Sequence, residues 1–168
     1  ELAMMKRPEP RLAPSESKPA ETASAAASSS SVAMMAEAQR SFAAKQYDKA
    51  EENFRQVLRQ DDSNVTTLVN LAITQMEQNR FDEAEQQARQ AVAVAPNSAL
   101  SQSVFGQVKL RQEKYDEALD ALSRAAQLNP QSAEIQNYLG ITLSHKGLRV
   151  PAESALRKAI QLEPGYAS

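Results

Sequence analysis

Three prolines spaced 34 residues apart constrain this chain more than any other feature. Val94-Ala95-Pro96-Asn97-Ser98-Ala99 aligns with Leu128-Asn129-Pro130-Gln131-Ser132-Ala133 and with Leu162-Glu163-Pro164-Gly165-Tyr166-Ala167, giving 130 − 96 = 34 and 164 − 130 = 34. One more step back from Pro96 reaches Asp62 in Gln60-Asp61-Asp62-Ser63-Asn64, a turn-forming stretch with aspartate in place of proline. The chain therefore divides into four repeats, residues 31–64, 65–98, 99–132 and 133–166. A period of this length marks supersecondary units that cannot bury an apolar face alone and must stack on their neighbours.

Within each repeat the same landmarks recur. Ala50, Ala84, Ala118 and Ala152 fall once per repeat, three of them after Tyr47-Asp48-Lys49, Phe81-Asp82-Glu83 and Tyr115-Asp116-Glu117. Each aspartate is expected to cap the start of a second helix, with Glu51 and Glu85 completing Asp-x-x-Glu boxes. In the fourth repeat Val150-Pro151 replaces this device, with Pro151 expected at the first helical position, where its missing N–H is not needed. A second small position, Ala38, Ala72, Gly106 and Gly140, is expected midway along each first helix, where the paired helices approach closely. Larger apolar residues surround it: Phe42, Phe54 and Leu58; Leu68, Leu71 and Val92; Phe105, Leu122 and Leu128; Leu139, Leu143, Leu156 and Ile160. Their spacing of three, four and seven is helical. Aromatics make up only 5% of the chain and tryptophan is absent, so the core must be packed from alanine and leucine, which suits helices better than sheets.

Two helices in 34 residues, small residues at fixed sites and a proline after the second helix resemble the tetratricopeptide repeat (TPR) family. The resemblance covers residues 31–168 and implies an all-α, right-handed superhelical solenoid of four antiparallel helix-turn-helix pairs. It departs in the first repeat, where Glu37, Ala38 and Asp62 stand at the family's leucine, glycine and proline, and in the absence of the family's tryptophan, whose place is taken by Met34, Leu68, Gln102 and Gln136. The resemblance further implies a groove lined by the first helix of each pair. Its expected peptide-binding residues are Met35, Gln39, Val69, Asn70, Ile73, Leu100, Gln107, Asn137 and Ile141. Phe42, Thr66, Met76, Ser103, Leu110, Glu134 and His145 share that face by register, with Phe42 and Leu110 equally readable as core.

Residues 1–30 read differently. Pro8, Pro10, Pro14 and Pro19 precede the run Ala23-Ser24-Ala25-Ala26-Ala27-Ser28-Ser29-Ser30-Ser31, with little to bury, so this stretch is expected to be a tail or linker ahead of a four-repeat domain at 31–168. Its Ala-rich part could extend the first helix backwards, or its Pro-rich part could lie along a neighbouring surface. Pro8-Glu9-Pro10 stands where a signal peptide would need apolar residues. No stretch reaches the roughly 18 to 20 continuous apolar residues of a membrane span. A soluble chain is expected, and with no cysteine to mark redox exposure, cytoplasm and periplasm remain equally open.

No catalytic residue, metal ligand set or cofactor site is expected. His145 is the only histidine and cysteine is absent, so a metal would lack partners. Each glycine is single and explained by packing or turns, so no phosphate loop exists. The 19 basic and 21 acidic residues are interspersed along the chain, leaving no strong field to hold nucleic acid. The expected function is a protein-interaction scaffold that takes a partner's peptide or amphipathic helix in the groove. A carboxylate clamp, by which some family members hold acidic chaperone tails, needs cations that this chain lacks. The matching positions are Met35, Gln39, Asn70, Leu100 and Val104, or, one repeat later, Val69, Ile73, Val104, Glu134 and Tyr138. The alternative is an oligomerisation or spacer segment of a larger assembly, self-associating through the fourth repeat, whose outer face has no polar capping helix and is expected to be covered or continued.

Overall fold

The computed structural model describes residues 11–13 and 24–167, and among them the chain forms eight α-helices and no strand. They are α1 Ser24–Ala43, α2 Tyr47–Gln60, α3 Val65–Glu77, α4 Phe81–Val94, α5 Ala99–Arg111, α6 Tyr115–Leu128, α7 Ala133–His145 and α8 Arg149–Leu162, followed by a 3-10 turn, Pro164–Ala167. Helix starts at 65, 99 and 133, and at 47, 81, 115 and 149, keep the 34-residue period. α1 begins at Ser24, ahead of residue 31, because the Ala-rich run has the propensity to carry the helix backwards. The rest of the expected tail, residues 1–10 and 14–23, lies outside the described residues.

The chain divides into two compact halves. The N-terminal half, Leu12–Ala95, holds α1 to α4, each packed on the next. The C-terminal half runs from Pro96 and includes Arg11; α5 packs on α6, α6 on α7, and α7 on α8. Helix pairing uses the small residues. A Cβ on Gly106 would lie 2.6 Å from Leu122 Cγ, and one on Gly140 2.6 Å from Leu156 Cγ, so only glycine lets α6 and α8 come this close. At the same register in the N-terminal half stand Ala72 with Ala88, and Ala38 with Phe54, all fully buried.

The capping scheme differs from the sequence expectation. Second helices start two residues earlier than aspartate caps would place them, at Tyr47, Phe81 and Tyr115, and their N-cap residues Gln46, Arg80 and Lys114 make no side-chain cap bond. Asp48, Asp82 and Asp116 sit in the first turn, where their charge favours the helix dipole without capping. Pro151 is the third residue of α8 and not the first; its missing N–H still falls among the four donors without an intrahelical partner. Side-chain caps belong instead to the first helices: Asn64, Ser98 and Ser132 accept from the N–H of Thr67, Ser101 and Ile135 at 2.9, 3.2 and 3.3 Å.

Each first helix ends in one left-handed residue: Lys45, Asn79, Glu113 and Gly147, with φ of 59°, 60°, 60° and 74°. The paired bonds Glu113 N to Leu110 O at 3.1 Å and Lys114 N to Lys109 O at 2.9 Å are those of a Schellman close, repeated at the other three sites. Only Gly147 occupies this conformation without a Cβ penalty. Glu113→Gly is therefore expected to stabilise by roughly 0.5–1 kcal/mol and Gly147→Ala to destabilise by about 1 kcal/mol, net of backbone entropy. Thermal melts moving in opposite directions, by about 2–4 °C per kcal/mol, would bear this out; movement in the same direction would contradict it.

Candidate functional site

In the N-terminal half, α1 presents Met35 and Gln39, and α3 presents Val69, Asn70 and Ile73. Met35, Val69, Asn70 and Ile73 are buried, Asn70 completely, and Gln39 half-buried. The primary amide of Asn70 grips the main chain of one residue: Oδ1 accepts the Ala13 N–H at 2.6 Å and Nδ2 donates to the Ala13 carbonyl at 3.2 Å. Gln39 Nε2 donates to that carbonyl at 3.4 Å. Thus α1 and α3 both bond the chain's own backbone at Ala13, which is only 4% exposed. Phe42 is buried and stands edge-on to Tyr47 at 5.5 Å, so it belongs to the hairpin's core.

In the C-terminal half, Leu100 on α5 is 37% exposed, Gln107 is buried, and on α7 Asn137 is fully buried while Ile141 is half-buried. Gln107 Nε2 donates to Ser103 Oγ at 3.2 Å and to Glu134 Oε1 at 3.3 Å, linking α5 to α7. Among the described residues neither Nδ2 nor Oδ1 of Asn137 has a hydrogen-bond partner. Leu110 packs on the cluster of Ala118, Leu122 and Tyr138 and is core. Burial raises the Glu134 carboxyl, against the lowering effects of the Gln107 bond and the Arg11 charge. Arg11 itself reaches Glu163 at 3.4 Å.

Two features lie off these faces. In the N-terminal half the buried Glu51 carboxylate accepts from Arg55 at 2.7 Å, Arg80 at 2.5 Å, and Gln75 and Gln78 at 3.3 Å each. Its role is a buried electrostatic joint between α2 and the α3–α4 hairpin, not the capping box expected from sequence. In the C-terminal half an open cleft of about 450 Å³ is lined by Glu113, Lys114, Tyr115, Asp116, Glu117, His145 and Lys146. There His145 stacks on Tyr115, ring centroids 4.8 Å apart, and Lys146 pairs with Asp116. Among the described residues no group of three or more His, Asp or Glu is placed to hold a metal ion, and no helix is long and apolar enough to cross a membrane.

Titration follows from these contacts. Burial pushes the Glu51 carboxyl up, but hydrogen bonds from Arg55, Arg80, Gln75 and Gln78 outweigh it and leave the group below its ordinary value. Its contribution to stability is complete above the unfolded value of about 4.3 and is lost as pH falls through the lower folded value. Glu37, held at about 2 by Lys49 and Arg40, has the same sign. Glu134 has the opposite sign: its penalty is present at neutral pH and is relieved as pH falls through its raised value. Glu51→Gln should flatten the loss of thermal midpoint below about pH 4, and Glu134→Gln should raise the midpoint at neutral pH. Parallel curves for the wild type and both variants would contradict the assignment.

Two models of tetratricopeptide repeats match the sequence, one over residues 41–104 and one over 106–147. The chain belongs to the TPR family. Solved structures share the fold. MamA is 27% identical with a TM-score of 0.66, the match covering 76% of this chain and 75% of that one. The thermophilic TPR protein TTC0263 of Thermus thermophilus is 22% identical, with a TM-score of 0.74 and coverage of 80% and 75%. The first TPR domain of Spaghetti, bound to an HSP90 peptide, is 22% identical, with a TM-score of 0.67 and coverage of 71% and 95%. No curated protein sequence matches the chain. TPR repeats of this kind are typically non-enzymatic, and a protein-interaction scaffold is the general function that the family gives this TPR chain.

Proposed function

We propose that this TPR chain binds an extended peptide or an amphipathic helix on the faces of its first helices, through Met35, Gln39, Val69, Asn70 and Ile73 in one half and Leu100, Gln107, Asn137 and Ile141 in the other. The carrying observation is the double hydrogen bond between the Asn70 amide and the main chain of Ala13, which supports the reading because the same pair of bonds would hold the main chain of a ligand. Asn137 supports the reading. A buried amide with no partner costs about 1–3 kcal/mol of desolvation, which a ligand main chain would recover. Met35, Val69, Ile73, Leu100 and Ile141 on the same faces are apolar, so the side chains of a ligand would add affinity by burial.

Acidic chaperone tails of the kind seen with Spaghetti are not the proposed ligand. At the clamp positions Met35, Gln39, Leu100 and Val104 this TPR chain offers no cation. Selection from a random peptide library against the whole chain tests the reading. Selected peptides should be apolar or alternating, and their affinity should change less than about threefold between roughly 50 and 500 mM salt, because burial is little screened. Leu100→Asp, at an accessible site, should weaken them at least about tenfold, each tenfold being about 1.4 kcal/mol. Ile73 is too buried for the same substitution to report on binding alone. Recovery of acidic-tailed peptides whose binding collapses with salt would overturn the proposal.

The alternative, self-association through the fourth repeat, has one observation in its favour. Leu148 and Val150 at the α7–α8 turn are 43% and 80% exposed. Val150→Lys should abolish any concentration-dependent growth in molar mass if that turn is the contact.

A further inference from the structure

We infer that the α1–α3 face is a main-chain reader whose resident occupant is the chain's own Leu12-Ala13 segment, so that a partner can enter only by displacing it. The inference rests on the groove reading and adds regulation to it. Four observations converge. Asn70 is fully buried, and both ends of its amide are spent on the backbone of a single residue 57 positions away. Gln39 adds a third bond to the same carbonyl from a different helix. Ala13 is buried although its stretch of sequence offers no core of its own. Finally, Pro14 follows Ala13 in the sequence, and a residue before proline is biased to the extended backbone that an amide can grip on both sides.

This geometry defines the chemistry of any competitor. The pair of bonds needs one N–H and one C=O on the same residue, so proline is excluded at that point. The burial of Ala13 favours a small side chain there. Competition is strengthened by the tether. Ten residues, 14–23, separate Ala13 from the start of α1 and can span up to about 35 Å when extended. A short tether of this kind holds its segment at an effective concentration of about a millimolar. Against an intrinsic dissociation constant of about 100 µM, that imposes a penalty of about tenfold on any peptide added from outside.

The test uses a fluorescent peptide of residues 9–17 and the full-length chain in four forms: wild type, Ala13→Pro, Asn70→Ala, and the two combined. Ala13→Pro removes the N–H that Asn70 accepts and frees the face without touching it. The peptide should bind Ala13→Pro about tenfold more tightly than wild type, and the double variant should lose binding. A peptide carrying proline at the position of Ala13 should bind none of them. Amide exchange at Ala13 supplies a reading independent of added peptide: the wild-type N–H should exchange at least about tenfold more slowly than in Asn70→Ala, with circular dichroism confirming that both forms are folded. Equal affinity for wild type and Ala13→Pro, or unprotected exchange at Ala13, would overturn self-occupancy. If library-selected peptides still bind, the groove reading survives that failure; if no peptide binds any form, both fall. A molar mass that grows with concentration in the wild type but not in Ala13→Pro would place the segment on a second copy and overturn occupancy within one chain.

Discussion

Gly106→Ala is expected to destabilise the wild-type chain but to stabilise the Leu122→Ala variant. In the wild type the new methyl would sit 2.6 Å from Leu122 Cγ and 3.3 Å from the Ala118 carbonyl oxygen, inside a helix pair with no free space. Such overpacking costs about 1–3 kcal/mol, more than the roughly 1 kcal/mol that alanine returns in helix propensity. Leu122 is fully buried, so Leu122→Ala alone should cost about 2–5 kcal/mol through lost contacts and a cavity. In that background the added methyl enters the cavity, and the pair becomes the Ala–Ala combination already found at Ala72 and Ala88. Denaturant midpoints of the four forms give the coupling directly, expected above about 1 kcal/mol. Additive effects would mean that α5 and α6 do not meet at these residues.

The second large effect belongs to Glu51. Its carboxylate is buried, and two guanidinium groups and two amides converge on it from α2, α3 and the turn before α4. Glu51→Ala should destabilise by about 3–5 kcal/mol, since it strands the buried Nε2 of Gln75 and leaves Arg80 with Glu83 as its remaining carboxylate here. Arg80→Ala should cost less, because Arg55 continues to neutralise Glu51 and Arg80 is partly in water. A Glu51→Ala variant as stable as Arg80→Ala would show that the charge is solvated in solution and that the joint contributes little.

What could be read from the sequence was whatever repeats. The 34-residue period anticipated the helix starts from α2 onward and identified Gly106 and Gly140 as points of close approach, since both kinds of signal are local or periodic, but it did not give the start of α1, which lies at Ser24 inside the expected tail. The capping scheme was misplaced because aspartate after an aromatic fits both the cap and the first turn; the recurring Asn64, Ser98 and Ser132 were the signal for the real caps. The Glu51 joint was missed although Glu85, Arg89, Gln112 and Lys114 repeat Glu51, Arg55, Gln78 and Arg80 one period later, because Arg80 lies 29 residues from Glu51 and only the packing of one hairpin on the next brings them together. The occupied face was equally hidden. Register assigned Val69, Asn70 and Ile73 to the groove, but only the folded chain brings Ala13 in front of them.

The most direct measurement of the central claim is residue-by-residue amide chemical-shift mapping as a library-selected peptide is titrated into the full-length TPR chain. Perturbations should concentrate on the faces carrying Met35, Gln39, Val69, Asn70 and Ile73, or on those carrying Leu100, Gln107, Asn137 and Ile141, with the Ala13 signal moving as its segment is released. Perturbations confined to the outer faces of α2, α4, α6 and α8, with Asn70, Asn137 and Ala13 unmoved, would contradict it.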